Sequence, residues 1–196
     1  MRITFRRTII AAVSAFFLLT AAPCLADVVK TETVKYYMVT GKGKKEIVRS
    51  MKRNSPIKQK GRTFQGNTSS QIKYKFTWIR KNGVCTINKV TVRIHITYLY
   101  PKLAQQTSKA IRQWWDTYME RLTEHELVHG EIALESAHVL DRALNTLKTP
   151  NCDNVEKRVK NKFDSIMQKY KKKQKDYDKL TEHGIHQERF KGIQHL

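Results

Sequence analysis

Acidic side chains are the first shortage in this sequence: 17 Asp and Glu stand against 38 Lys and Arg, a formal net charge of +21. That imbalance turns the molecule toward anionic surroundings (phospholipid, lipopolysaccharide, wall polymers) or leaves it with a merely solvated basic surface. The run Lys171-Lys172-Lys173 has little aromatic interleaving, so nucleic-acid recognition is not expected of it. Internal repeats are missing as well. Long apolar runs are missing with one exception, residues 8–22, which follow Arg2, Arg6 and Arg7 and precede Cys24-Leu25-Ala26. A charged start, a short apolar stretch and small residues at the cleavage positions read as a secretory signal peptide over residues 1–26. About 15 apolar residues are too few to span a bilayer comfortably, and Pro23 directly before Cys24 argues against a lipoprotein signal. The expected mature chain is a single domain, residues 27–196, exported to the periplasm or secreted. It carries no transmembrane segment, and loss of the three leader arginines leaves it at +18.

Cysteine is scarce too. Cleavage removes Cys24 and leaves Cys85 and Cys152, neither with a CxxC partner, so a thiolate metal site is not expected. An even pair in an exported chain is most simply one disulfide.

Against these absences stands one short motif, His125-Glu126-Leu127-Val128-His129. Histidines four apart on a helix leave the same face, about 40° apart around the axis, and offer half of a tetrahedral zinc site. Glu126 lies roughly 100° from His125 and can reach a water without ligating the metal. This is the HExxH pattern, two ligands and a general base for metal-assisted hydrolysis. Five residues also recur by chance in ordinary helices, so the surrounding pattern matters. Between residues 108 and 147 there is no proline, and Gly130 is the only glycine. Ile111, Trp115, Tyr118, Leu122, His125, His129 and Ile132 recur at steps of four and three, which makes the histidines part of an inward-facing helix stripe.

Elsewhere the periodicity changes. Residues 33–40 are β-prone and end at the turn Gly41-Lys42-Gly43, and residues 44–53 carry Ile47, Val48 and Met51 at helical spacing. Residues 61–70 read as loop or frayed edge strand. Residues 73–80 alternate, with Tyr74, Phe76 and Trp78 on one side; Asn82-Gly83 turns the chain; and residues 84–98 continue the alternation through Val90, Val92, Ile94 and Ile96. That predicts an antiparallel hairpin with one buried face, and His95 on its polar face. After Pro150, Asp153 or Asn154 is placed to N-cap a second helix running to about Lys175, with Val155, Val159, Phe163, Ile166 and Tyr170 on one stripe. The fold class is α+β, an antiparallel β-hairpin or small sheet packed on the long motif helix and a second, C-terminal helix.

A catalytic zinc needs a third protein ligand and an open position. A metzincin-type extension would place glycine at 132 and histidine at 135, where this chain has Ile132 and Glu135. Glu135 and His138 lie about 280° and 220° around from His125 and face away. Glu156 on the following helix, Asp178 and His183 remain open.

The order of the motifs is familiar. Tyr37-Met38-Val39-Thr40-Gly41, the Cys85 strand, the helix with Trp115, Tyr118, Leu122, His125-Glu126 and His129, and the tail Tyr177-Asp178…Thr181…His183-Gly184 follow one another. This resembles a bacterial family of predicted secreted zinc-dependent proteases, long known only as a domain of unknown function. The resemblance covers about residues 33–184. It implies a zincin-like fold, a bound zinc, and His183 as third ligand beside His125 and His129. Tyr177 is a candidate to stabilise the oxyanion, and Asp178 a candidate to orient a ligating imidazole or to replace it. The expected activity is a secreted metallopeptidase in which a metal-activated water attacks the peptide bond and Glu126 is the general base. Two other readings stay open: an envelope amidase or hydrolase using the same zinc site, and a non-catalytic basic protein that binds anionic envelope polymers.

Overall fold

The protein is described here from a computed structural model covering residues 28–59, 61–150 and 152–186; the expected signal peptide at residues 1–26 lies outside the described residues. Three strands make the main sheet. β1 (Val28–Val39) and β4 (Asn67–Lys81) flank the central β5 (Val84–Leu103), and β6 (Lys148–Thr149) adds two residues to its start. Helix α1 (Lys44–Asn54) and a two-strand ribbon, β2 (Lys58–Gln59) with β3 (Arg62–Thr63), connect β1 to β4. Helix α2 (Lys109–Asn145) and helix α3 (Val155–Leu180) follow.

The hairpin expected around Asn82-Gly83 is present. β4 pairs antiparallel with β5 from Asn67↔Leu99 to Lys81↔Val84, and both turn residues adopt positive φ (51° and 75°). The sheet as a whole is nevertheless mixed, because β1 lies parallel to β5, from Val28↔Val92 to Val39↔Leu103. Alternation within one strand reports which face is buried but not which neighbour it pairs with, so this partner was invisible in the sequence. The segment read as loop or frayed strand holds β3, a short loop and the first four residues of β4.

β5 is paired on both sides, and its inward residues form the centre of the core. Val92, Ile94 and Ile96 are at most 1% exposed, each burial contributing about 1.5–3 kcal/mol. Against them lie Val128, Ile132, Ala137, Leu140 and Leu144 of α2 and Val155, Val159 and Ile166 of α3. The glycine after the motif is explained here. A Cβ on Gly130 would overlap the Tyr98 hydroxyl, so α2 approaches β5 this closely only because residue 130 has no side chain. The first turns of α2, capped by Ser108, carry Trp115 into a second cluster with Tyr37, Val39, Ile47 and Met51.

α3 begins after a short 3-10 turn (Cys152–Asn154). Asn154 stands at its N-cap position without a side-chain capping bond. The helix runs five residues past the expected end, because no glycine or proline intervenes before Gly184. That extension matters: Tyr177 and Asp178 sit in the last turn of a helix, not in a free tail.

Cys85 on β5 and Cys152 before α3 are joined in a disulfide with Cα atoms 5.4 Å apart, across a separation of 67 residues. Closing a loop of that size stabilises by about 4 kcal/mol in the loop-entropy account. Replacing both cysteines by serine is expected to lower the melting temperature by roughly 10 °C, read by thermal denaturation. The convergence of His125, His129 and Asp178 should survive the change, since it lies at the opposite end of α3.

Candidate metal centre

The two motif histidines face the last turn of α3. His125 is 4% exposed, and its Nε2 lies 3.2 Å from His129 Nε2. Asp178 Oδ1 completes a triangle, 3.4 Å from His125 Nε2 and 3.1 Å from His129 Nε2. Among the described residues, these three form the group of His, Cys, Asp or Glu whose ligand atoms converge.

Protons on the far side of each ring are assigned by the neighbours. Gln174, one turn before Asp178, donates its amide to the His129 carbonyl (2.9 Å), which leaves its Oε1 to accept from His129 Nδ1–H. Thr181 Oγ1 donates to the Tyr177 carbonyl (2.9 Å) and is therefore an acceptor for His125 Nδ1–H at 3.4 Å. With both Nδ1 atoms protonated, both Nε2 atoms present lone pairs to one point. Tyr177, 1% exposed, stacks on His125 at 5.0 Å between centroids and meets His129 edge-on at 5.1 Å.

Electrostatics agree with a cation-holding site. Burial alone would raise the Asp178 carboxyl, but its bonds to His125 and His129 outweigh that and hold it well below the usual carboxylate range. Burial also disfavours a charged His129, yet Asp178 prevails and its pKa is raised. The donor set fits zinc on geometry too. Bonds of about 2.0–2.1 Å in a tetrahedron require ligand atoms roughly 3.3–3.4 Å apart, and the three edges here are 3.1–3.4 Å.

Glu126 lies on the same cavity wall. It is 5% exposed, and the Thr68 hydroxyl reaches its Oε2 at 2.7 Å. Burial raises its pKa, with the Thr68 bond acting in the opposite direction. The cavity is about 480 Å³, bounded by the start of β4 and the segment before it, by α2 and by α3.

His183, expected as the third ligand, lies outside the triangle. Its Nδ1 is 3.4 Å from Asp178 Oδ1, its side chain is 46% exposed and its ring meets Phe64 edge-on. It lines the cavity. Glu156 is excluded by position: it is in the first turn of α3, about 33 Å along the axis from Asp178 at 1.5 Å per residue. Glu135 pairs with Lys173 at 2.8 Å. Tyr177 does not line the cavity; its burial behind the two imidazoles suits holding them in place and removes it from contact with a substrate.

The tail motif is now legible residue by residue. α3 stops at Thr181, and Glu182, His183 and Gly184 all adopt left-handed backbone (φ 49°, 57° and 88°). The His183 N–H returns to the Asp178 carbonyl (2.7 Å), and the Gly184 N–H to Thr181 Oγ1 (3.3 Å). A Cβ on Gly184 would come within 3.2 Å of His125 Cγ, so this glycine serves both the turn and the close approach. Tyr177, Asp178, Thr181 and Gly184 therefore all touch a motif histidine.

Gln174 and Thr68 were not singled out by sequence reasoning. Gln174 had a signal, since it precedes Asp178 by one helical turn on the same face; Thr68 had none, because it arrives from a different strand. Gln174→Leu is expected to lower zinc affinity 10–100-fold, the usual cost of losing an outer partner of a ligating histidine. Competition with a chromophoric chelator measures it.

The molecule is thus an α+β protein whose central helix and C-terminal helix bring two histidines and a carboxylate to one point, beside a buried glutamate. More particularly, the chain belongs to the family described as bacterial protein of unknown function (DUF922), whose profile matches residues 34–184. No curated protein and no solved structure matches it.

Proposed function

We propose that the protein is a zinc-dependent hydrolase acting on peptide bonds, exported from the cell, with a zincin-like site. The observation that carries this reading is the triangle of His125 Nε2, His129 Nε2 and Asp178 Oδ1, all edges between 3.1 and 3.4 Å, with a buried carboxylate beside it. His125, His129 and Asp178 would hold the zinc, which supplies Lewis acidity toward water and a scissile carbonyl.

The chain's own residues do the rest. Thr68 holds Glu126 Oε2, which leaves Oε1 to take the proton from the attacking water and pass it to the leaving amine. The raised pKa of Glu126 makes its carboxylate a stronger base toward the water than an exposed glutamate would be. His183, half-exposed on the cavity wall beside Asp178, is a donor available to the developing oxyanion, a role its ring can fill where the buried Tyr177 cannot. Gln174 and Thr181 keep both imidazoles in the metal-binding tautomer. A purely structural metal would have no use for a buried, uncoordinated glutamate at this position.

The test is cleavage of an unfolded protein substrate and of isolated wall peptides by zinc-loaded protein, with and without a chelator. Cleavage of the unfolded chain that stops on chelation and returns with zinc supports the peptidase. Cleavage of wall fragments alone moves the same centre to the amidase reading, and a zinc-loaded protein inert on both removes the hydrolase.

A further inference from the structure

The outer face of the sheet, turned away from α2 and α3, has a composition unlike the rest of the surface. Inward positions of β5 are Val90, Val92, Ile94 and Ile96; the alternate positions, with their register partners on β1 and β4, face outward. Lys73 lies directly across from Arg93, Lys75 across from Thr91, and Lys89 across from Thr77, all four cations exposed. No aspartate or glutamate occupies any outward position from Val29 to Lys35, Ser69 to Ile79 or Lys89 to Thr97. On the basic helix α3, part of the charge is compensated: Lys160, Lys172 and Lys173 each have a carboxylate partner at 2.5–2.8 Å.

Like charges directly opposite on neighbouring strands repel one another and destabilise a sheet. The Lys73/Arg93 pair has no acid on its own face to relieve it, so an external anion is the natural counterion. Two apolar side chains share the face at the ends of the patch. Val29, in register with Arg93, is 43% exposed, and Ile79, beyond the bulge in β4, is 47% exposed. The distance between these ends is about 20 Å at 3.3 Å per residue. A soluble polyanion would use the cations and have no use for Val29 and Ile79; a bilayer surface uses both.

We propose that this sheet face docks the protein on an anionic phospholipid surface, with Lys73, Lys75, Lys89 and Arg93 against the headgroups and Val29 and Ile79 at the headgroup–acyl boundary. Among the described residues no helix is long and apolar enough to cross a membrane, so the attachment is peripheral. α3, the motif-bearing part of α2 and the cavity lie on the opposite face of the sheet, which leaves the cavity open while the protein is docked; α1 and the first turns of α2 pack beyond the patch, on Tyr37 and Val39.

Sedimentation of the exported, purified protein with phosphatidylglycerol-containing vesicles tests this, with phosphatidylcholine vesicles and soluble polyphosphate alongside. The expected result is binding to the anionic vesicles alone, weakened by salt. The combined change Lys73→Gln, Lys75→Gln and Arg93→Gln should weaken it about a hundredfold. Val29→Ser with Ile79→Ser should weaken it several-fold at unchanged charge. Removing three charges from α3, by Lys157→Gln, Lys162→Gln and Lys179→Gln, should leave it within threefold. Melting curves and circular dichroism confirm that each variant is folded, and Arg93→Lys, which keeps the charge, should retain binding. The proposal is overturned by a wild type that ignores anionic vesicles or by an α3 variant weakened as much as the sheet variant. Polyphosphate binding that the Val29/Ile79 variant fully retains overturns it equally.

Discussion

Glu126→Gln is expected to lower peptide cleavage by 10²–10⁴-fold while leaving zinc content and melting temperature close to wild type. The glutamine fits the same space, and its amide oxygen can still accept the Thr68 hydroxyl that now reaches Oε2 at 2.7 Å. What it cannot do is take a proton from water, and loss of a general base typically costs that much in rate. The measurement is kcat/KM on an unfolded substrate together with metal stoichiometry, for both proteins at equal zinc loading. A glutamine variant as active as wild type removes Glu126 from the mechanism. A variant that loses its metal as well would move Glu126 into the ligand set, against its bond to Thr68.

The second large effect separates Asp178 from His183. Asp178→Ala deletes an atom 3.1 and 3.4 Å from the two Nε2 atoms and should reduce zinc affinity by more than the 10–100-fold typical of an outer partner. His183→Ala deletes a half-exposed ring that touches Asp178 and Phe64 but neither motif Nε2, so zinc affinity should change by less than tenfold. Its cleavage rate should nonetheless fall 10²–10³-fold, the usual cost of an oxyanion donor. Chelator competition gives the affinities and steady-state kinetics the rates. The reverse pattern, metal lost with His183 and kept without Asp178, would restore the ligand set that the family resemblance implied.

Much of the architecture could be read from local pattern. The 3.6-residue stripe through Trp115, His125 and His129 marked α2, the alternation from Tyr74 to Ile96 marked the hairpin, and the two cysteines outside the expected signal peptide marked their disulfide. Each of these signals is periodic or purely compositional. The parallel pairing of β1 with β5 was not visible, because register between strands some 60 residues apart leaves no local trace. The centre was half legible for the same reason. His125 and His129 share a helix and announce their convergence by spacing. Asp178 converges through the packing of α3 on α2, and its neighbour His183 carried the stronger motif signal. Ending α3 at Lys175 also placed Asp178 in a tail, where its orientation was undetermined; as the last turn of a helix it is fixed. Thr68 belongs to the least legible group, a polar strand residue that matters only for what stands opposite it.

Zinc titration of demetallated protein by calorimetry, paired with elemental analysis of the reconstituted product, decides whether the two motif histidines hold a metal. One zinc per chain is expected in the wild type. Tight binding should be lost in His125→Ala and His129→Ala and retained in Glu126→Gln. A folded wild type that takes up no zinc, or one that binds it equally well without His125 and His129, would contradict that expectation.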